Sequence, residues 1–257
     1  MKRLKIAVTL STALAALALA LWAVAQPPRW SELASYRTSL NGRTSAQAHN
    51  ATLAAQALDG KTLQPGAEFS FNRAVGSWTA DRGYVKAPVS YSGELIPSWG
   101  GGVCQTSTTL YNAALLAGLE IAERHRHQFT PHYAPPGQDA AVAQFDVDFR
   151  FRNPYPWPIR IDTDAEGDSI ICRILSQSSP EARFTVEREI RQVTPASEVI
   201  RMHKRASGDA VRWRVINHGA PGVRVAVYRR EIMGTRSIRR LISEDTYPPM
   251  NRLVSGE

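Results

Sequence analysis

The sequence predicts an α+β fold, in which a cysteine-bearing helix packs on a mainly antiparallel sheet and a small β-rich module follows. Two segments, 45–58 and 104–117, read as helices, and each is followed by a glycine that can end a helix. Most other segments alternate apolar and polar residues, as strands do. Beyond residue 180 the strand-like segments become rich in arginine, which indicates a second module.

The first 25 residues predict export. Three basic residues precede an apolar run over 6–24, and Ala-Val-Ala at 23–25 has the small-x-small form of a signal-peptidase site. The run is also long enough to span a bilayer as an uncleaved anchor. We therefore expect a signal peptide or membrane anchor at 1–25 and a linker at 26–42. The protein is then secreted or anchored to the outer face of the bacterial cytoplasmic membrane.

The predicted central domain covers 43–176 and begins with the first helix, which Thr44 or Ser45 is suited to cap. The segments 119–129 and 143–151 alternate in polarity, which predicts a strand in each. Turn residues between alternating segments also predict two hairpins, within 89–96 and 159–175.

The last segment, 183–257, carries most of the excess positive charge. The chain has a formal net charge of +8, and this segment holds fifteen Lys and Arg against eight Asp and Glu. A basic face favours anionic partners such as lipid headgroups or wall polymers, by a screened attraction of short range. Since an exported protein rarely meets nucleic acid, we expect no nucleic-acid partner.

A candidate nucleophile lies at the start of the second predicted helix. Gly100, Gly101 and Gly102 allow the backbone to turn sharply and to approach a ligand, and Cys104 follows them. The amides and the positive dipole end of the helix favour the thiolate form of this cysteine. The same amides, or the side chain of Gln105, could stabilise an oxyanion.

The partners for such a thiol come later in the chain. His125 and His127 lie on the segment after the helix, so one imidazole can reach the sulfur as a general base. Asp139, after a Pro-Gly turn, can orient that imidazole. This chain order is also that of transglutaminase-like and papain-like thiol enzymes, which is an analogy of order alone.

Three alternatives use the same residues differently. One alternative is a zinc site with three imidazole ligands, from His125, His127 and His132, although nothing in the sequence fixes His132 on the same side. The site that we predict from the sequence contains no metal and no cofactor. Cys104 and Cys172 could form a disulfide. Exposed aromatic residues near the glycines could instead stack on a wall polymer without catalysis. Those aromatic residues are Trp78, Tyr91 and Trp99.

Ordered motifs over about 43–162 resemble the VanW family. The main block runs from Gly100 to Ala113, and shorter matches precede and follow it. The shorter matches are His49, Asn50, Leu53, Ala54, Leu58, Asp59, Gly60, Phe69, Ser70, Phe71, Asn72, Val75, Gly76, Arg82, Gly83, Tyr84, Ala87, Pro88, Val89, His127, Tyr133, Pro136, Gly137, Asp139 and Ala140.

The resemblance implies an exported or membrane-anchored bacterial envelope protein that acts on peptidoglycan or binds it. We expect either a Cys-His-Asp thiol hydrolase or acyl transferase of wall peptide or amide bonds, or a binding module for peptidoglycan or an anionic wall polymer. The resemblance adds Tyr84, Tyr111, Asn112 and Tyr133 to the expected binding residues. The C-terminal segment is weakly similar to a small β module, often appended to this family, that is thought to bind envelope glycans.

Overall fold

The computed structural model describes residues 29–91, 94–165, 167–202 and 213–256. Residues Ser31–Glu257 form one compact unit, and the described elements combine helices with several sheets, which confirms the predicted α+β class. The predicted signal peptide or anchor at 1–25 lies outside the described residues. Within the ranges that are described, no helix is both long and apolar enough to cross a membrane.

The helices begin and end close to the predicted bounds. They are α1 (Ser45–Leu58), α2 (Phe71–Val75) and α3 (Val103–Leu116), with a 3-10 turn at Ala80–Arg82. Thr44 caps α1 through a reciprocal pair: its hydroxyl accepts from the Gln47 amide at 3.2 Å, and the Gln47 side chain accepts from the Thr44 amide at 3.1 Å.

The strands are grouped into five sheets in the described chain. They are β1 (Ser31–Ser39), β2 (Thr62–Leu63), β3 (Glu68–Ser70), β4 (Lys86–Tyr91), β5 (Glu94–Trp99), β6 (Glu120–Glu123), β7 (Arg150–Arg152), β8 (Ile159–Asp164), β9 (Ser169–Ser176), β10 (Arg183–Thr194), β11 (Glu198–Met202), β12 (Trp213–Asn217), β13 (Gly222–Met233), β14 (Arg236–Tyr247) and β15 (Arg252–Gly256). The sheet orders are β1-β9-β8-β2, β3-β7-β6, β4-β5, β10-β13-β14 and β11-β15-β12. Both predicted hairpins are present, as β4-β5 and β8-β9.

The segment predicted as a linker contains an edge strand instead. Ser31–Ser39 pairs antiparallel with β9, from Ser31 opposite Ser176 to Ser39 opposite Ser169. The prediction for 26–42 was therefore wrong over 31–39. The strand is mostly polar because one side faces solvent, and that composition hid its alternation.

Helix α3 (Val103–Leu116) is buried on nearly all sides, between β1, β9, α1 and the sheet of β10. Its polar side chains are therefore bonded inside the protein. The Thr106 hydroxyl donates to the Ala51 carbonyl oxygen at 2.8 Å, and the Asn112 and Gln138 side chains bond to each other at 2.9 Å. This network fixes α3, and hence the position of its first turn.

Two predicted strands are much shorter than expected. The segment 119–129 is a strand only at Glu120–Glu123, and beyond it His125 makes one isolated bridge to Ala141. The segment 143–151 is a strand only from Arg150 onward. The alternation was misread because residues 124–149 fold as an irregular loop held by side-chain hydrogen bonds.

The C-terminal sheets pack on this loop. The predicted boundary between 176 and 183 coincides with the change from β9 to β10, yet both strands belong to the same compact unit. Gly137, in the loop, lies against Val225 and Val227 of β13. The sheet β10-β13-β14 thus covers one side of the loop that carries His127 and Asp139.

The glycine triplet is required by the packing of the protein on itself. Gly102 has a φ of +113°, and a Cβ there would overlap the carbonyl oxygen of Gln47 in α1. A Cβ on Gly101 would lie 2.7 Å from the Ala87 carbonyl oxygen, and one on Gly100 would lie 2.8 Å from the Trp78 ring. We expected these glycines to let a ligand approach the backbone. In the structure, α1, β4 and Trp78 approach the glycines closely instead.

We predict that Gly102→Ala lowers the free energy of unfolding by about 3 kcal/mol, because left-handed strain and overlap with α1 add together. Chemical denaturation of the purified protein measures this difference.

Gly42→Ala is the matched control. Gly42 also has a positive φ, of +79°, but nothing lies within 4 Å of the added methyl group. It should cost about 1 kcal/mol or less. Equal losses in the two variants would show that the contact with α1 is unimportant.

Candidate active site

Cys104 lies in the first turn of α3, two residues after the left-handed Gly102. Its side chain is half-buried, and the sulfur is 3.3 Å from the carbonyl oxygen of Val142. The Val103 and Gln105 amides donate to the carbonyls of Gly100 and Gly102, whereas the Cys104 amide makes no hydrogen bond to any residue that the structure describes. A thiol and a free amide donor therefore stand together at the positive end of a buried helix.

His127 is oriented by Asp139 through two hydrogen bonds to one carboxylate oxygen. The His127 Nδ1 atom is 2.6 Å from Asp139 Oδ2, and the backbone amide of His127 donates to the same oxygen at 2.7 Å. With Nδ1 held in this way, Nε2 is left to interact with the thiol of Cys104. The hydroxyl oxygen of Tyr133 lies 3.4 Å from the same Nε2 atom. The Cys-His-Asp set named from the sequence is therefore brought together.

The electrostatics of this set favour a thiolate paired with an imidazolium. Burial raises the pKa of the Cys104 thiol, but hydrogen bonding and the charge of His127 outweigh burial, so the pKa falls below its ordinary value. Burial lowers the pKa of His127, but bonds to Asp139 and Cys104 reverse the effect and raise it to about 9. For Asp139, burial is outweighed by His127 and Arg124, and its pKa falls to about 2.

A buried cation and two residues of β14 complete the support of Asp139. Arg124 donates to Asp139 Oδ1 at 2.8 Å and to Asp245 Oδ2 at 2.7 Å, and its side chain is only 7% exposed. The hydroxyl of Tyr247 donates to Asp139 Oδ1 and accepts from the Gly137 amide at 3.0 Å. The C-terminal sheet thus positions the carboxylate that orients His127.

Tyr133 links the imidazole to a second arginine. Its ring meets the His127 ring edge to face, with centroids 6.3 Å apart. The guanidinium of Arg43 lies 4.6 Å from the centroid of the Tyr133 ring. Burial raises the pKa of Tyr133 well above its ordinary value, so its hydroxyl stays protonated beside His127.

Gln105 does not face the thiol as an oxyanion donor. Its side-chain amide donates to the Ser39 carbonyl at 2.8 Å and to the Thr38 hydroxyl at 3.2 Å. Its oxygen accepts from Arg43 at 2.9 Å. The backbone amide of Cys104 is the donor that the geometry leaves for that role.

Most other residues expected to bind a ligand lie elsewhere. Tyr84, Tyr111 and Asn112 are buried in the core, and the hydroxyl of Tyr111 makes no hydrogen bond in the described chain. His125 is exposed, and its Nε2 pairs with Glu123 at 2.8 Å. The prediction that His125 and His127 share a strand face failed because the strand ends at Glu123.

The aromatic residues divide between core and surface. Trp78 is buried beneath the glycine triplet, while Trp99 is 44% exposed and Lys86 lies 5.7 Å from its ring. The side chain of Tyr91 lies outside the described part of the structure.

Two of the alternatives drawn from the sequence do not match the geometry. Cys104 and Cys172 are both free thiols, so no disulfide joins them. Burial of Cys172 in β9 raises its pKa far above the ordinary value. Among the residues described, no three His, Cys, Asp or Glu side chains are grouped to hold a metal ion.

Comparison with known proteins finds a family match over the part of the chain that carries Cys104, His127 and Asp139. Residues 46–175 match the family model described as VanW like protein. A protein of Bacillus subtilis (strain 168), described as uncharacterized protein YoaR, is 41% identical over 153 residues, which cover 60% of this chain and 50% of that protein. The vancomycin B-type resistance protein VanW of Enterococcus faecalis (strain ATCC 700802 / V583) is 29% identical over 142 residues, which cover 53% of this chain and 52% of that protein.

The chain spans about half the length of the curated relatives it matches. A solved structure, titled Crystal structure of HP0197-G5, is 25% identical and covers 29% of this chain and 99% of its own. The TM-score of that match is 0.16.

Sequence reasoning missed Arg43, Arg124, Asp245 and Tyr247. Arg43 precedes the matched range 46–175, and Asp245 and Tyr247 follow it. Arg124 lies in the segment 119–129 that was predicted as a strand, and only its neighbours His125 and His127 were considered as functional residues there. The sequence signal for Tyr247 is its position before Pro248 and Pro249. Only the fold shows that this residue contacts Asp139.

We predict that Tyr247→Phe lowers the free energy of unfolding by about 2 kcal/mol at pH 7, because a charged hydrogen bond to Asp139 is lost and the Gly137 amide is left buried. Because the pKa of Asp139 is lowered, its ionised form stabilises the folded protein fully above about pH 4. That stabilisation is lost as the pH falls through about 2. The difference in the free energy of unfolding between wild type and variant, measured by denaturation, should therefore become smaller as the pH is lowered over that range.

Tyr228→Phe removes the same atom from the neighbouring strand. The Tyr228 hydroxyl accepts from Arg191 at 2.6 Å on an exposed surface. This variant should lose less than about 1 kcal/mol, without the acid dependence. A loss in Tyr247→Phe that is small and constant with pH would contradict the proposed support of Asp139.

Proposed function

This chain belongs to the VanW-like protein family, and we propose that it is an envelope enzyme that transfers acyl groups of wall peptides through a thioester on Cys104. The observation that carries the proposal is the Cys104, His127 and Asp139 set, with its lowered thiol pKa and raised imidazole pKa. Cys172 is the internal contrast, because its burial raises its pKa and outweighs the opposing charge of Arg173.

The first step is attack on an amide carbonyl. The proton of Cys104 resides on His127 in the ion pair, so the thiolate is free to form a bond from sulfur to the carbonyl carbon. The negative charge that develops on the carbonyl oxygen is stabilised by the amide of Cys104, which has no other partner in the described chain. Asp139 stabilises the imidazolium throughout this step.

The second step releases the amine. The bond from carbon to nitrogen breaks as the imidazolium gives its proton to the leaving nitrogen, which leaves a thioester on Cys104 and a neutral His127. Neutral His127 then takes a proton from water or from an acceptor amine, and that nucleophile displaces the thiolate. Water gives hydrolysis and an amine gives transfer to a new amide.

The cell wall is proposed as the substrate from the sequence rather than from the site. The predicted signal or anchor at 1–25 favours action outside the cytoplasmic membrane. The Enterococcus relative is named for resistance to vancomycin, and the family resemblance implies an envelope role. Peptidoglycan supplies peptide amides in that compartment.

Binding without catalysis is the second candidate. The hairpin of β4 (Lys86–Tyr91) and β5 (Glu94–Trp99) exposes Leu95 at 72%, Ile96 at 42% and Trp99 at 44%. Exposed apolar and aromatic side chains on one hairpin are suited to stack on a sugar or peptide of the wall. This candidate does not require the thiol.

We predict that the protein releases new amino groups from isolated peptidoglycan and that Cys104→Ser reduces the rate at least about a thousandfold, because a hydroxyl at neutral pH is a poor nucleophile in a site built for a thiolate. Amine labelling followed by mass spectrometry of the soluble peptides measures the release.

Cys172→Ala is the control, since it removes the buried thiol and should keep the release rate. Binding to the sacculus is measured in parallel by sedimentation. Release by Cys104→Ser at the wild-type rate, or sedimentation without release in the wild type, would overturn the enzymatic proposal, and the second result would favour the binding module.

A further inference from the structure

We propose that Arg43 forms a subsite for a carboxylate of the acyl substrate, so that the preferred substrates are peptides with a free carboxylate close to the scissile amide. This inference rests on the proposed function, because the carboxylate belongs to the molecule that acylates Cys104.

Arg43 is held rigidly at the site from two directions. It lies between β1 (Ser31–Ser39) and α1 (Ser45–Leu58), and its Nε donates to the Gln105 oxygen at 2.9 Å. Its guanidinium stacks over Tyr133 at 4.6 Å, and the Tyr133 hydroxyl is 3.4 Å from His127 Nε2. The guanidinium is therefore one aromatic ring away from the imidazole that serves the thiol.

The terminal nitrogens of Arg43 are unused. Arg43 is half-buried, and its Nη atoms make no hydrogen bond or ion pair with any residue in the described ranges. Arg124, the other arginine of the site, is by contrast bonded to two carboxylates. Because a half-buried guanidinium presents two parallel donors, a planar carboxylate is the ligand that fits it best.

The negative charge nearest to Arg43 changes during the reaction. The charge of Cys104 is one of those that raise the pKa of Arg43. Thioester formation removes the thiolate charge, while the charge of Arg43 stays. A carboxylate on the bound acyl group would pair with Arg43 at the stage at which the thiolate is absent.

An alternative role for Arg43 is to stabilise the thiolate alone, since the thiolate is one of the charges that raise the pKa of Arg43 against the effect of burial. The two roles differ in a measurable way. A thiolate stabiliser affects every electrophile equally, whereas a carboxylate subsite affects only electrophiles that carry a carboxylate.

Iodoacetate and iodoacetamide provide that comparison. Both react with the Cys104 thiolate by forming a bond from sulfur to carbon and releasing iodide, but only iodoacetate is a carboxylate. The rate constants are measured at one pH by mass spectrometry of the Cys104 peptide. We expect Arg43→Gln to lower the ratio of the iodoacetate rate to the iodoacetamide rate about tenfold, the size of a charged hydrogen bond. Arg43→Lys should retain part of the preference.

Arg37→Gln is the matched control, because it removes the same charge from an exposed position of β1 and should leave the ratio unchanged. A measurement on the wild type alone covers the case in which Arg43→Gln does not fold: acetate should slow alkylation by iodoacetamide more than acetamide does at equal ionic strength.

The outcomes separate this inference from the proposed function. Fast alkylation of wild-type Cys104 with an unchanged ratio in Arg43→Gln and no protection by acetate would overturn the subsite and leave the thiol enzyme standing. Slow alkylation of Cys104 by both reagents, at a rate like that of Cys172, would overturn the proposed function and the subsite with it.

Discussion

The buried carboxylate of Asp139 is the constraint on which the rest of the site depends. Its side chain is fully buried, and an unpaired charge in that position would cost several kcal/mol. Four donors surround it: the backbone amide and Nδ1 of His127, Nη2 of Arg124, and the Tyr247 hydroxyl. Two of these donors belong to His127, so satisfying the carboxylate also fixes the imidazole. The catalytic arrangement we propose is thus a consequence of how the protein neutralises one buried charge.

The same constraint joins parts of the chain that the sequence presents as separate. Arg124 follows β6, Asp139 lies in the irregular loop, and Asp245 and Tyr247 end β14, more than a hundred residues later. The loop between β6 and β7 has little regular structure of its own, and its conformation is determined by these bonds and by the packing of Gly137 on β13. A C-terminal module that the sequence suggested as an independent binding unit therefore supports the thiol site directly.

The sequence predicted what depends on local patterns. Periodicity over a few positions predicts both long helices, and Thr44 and the terminal glycines mark where α1 begins and where both helices end. Turn residues predict the two hairpins in the same local way. The sequence also pointed to Cys104, His127 and Asp139, because the chain has only two cysteines and six histidines and Asp139 follows them after a Pro-Gly turn. The strand Ser31–Ser39 was missed because its exposed polar side obscures the alternation. The network of Arg124 and Tyr247 was missed because contacts across more than a hundred residues leave no local signal, and Gln105 was misassigned because its side chain is needed to bond Ser39 and Thr38.

The central claim is that Cys104 and His127 form an ion pair beside Asp139. Nuclear magnetic resonance of the His127 side chain, labelled with nitrogen-15, tests it most directly through the titration of both ring nitrogens in the wild type and in Cys104→Ala. The account predicts that wild-type His127 carries both protons at pH 7 and loses one near pH 9, and that removal of the thiol lowers this pKa. A neutral His127 at pH 7, with a titration near 6.5 that Cys104→Ala leaves unchanged, would contradict it.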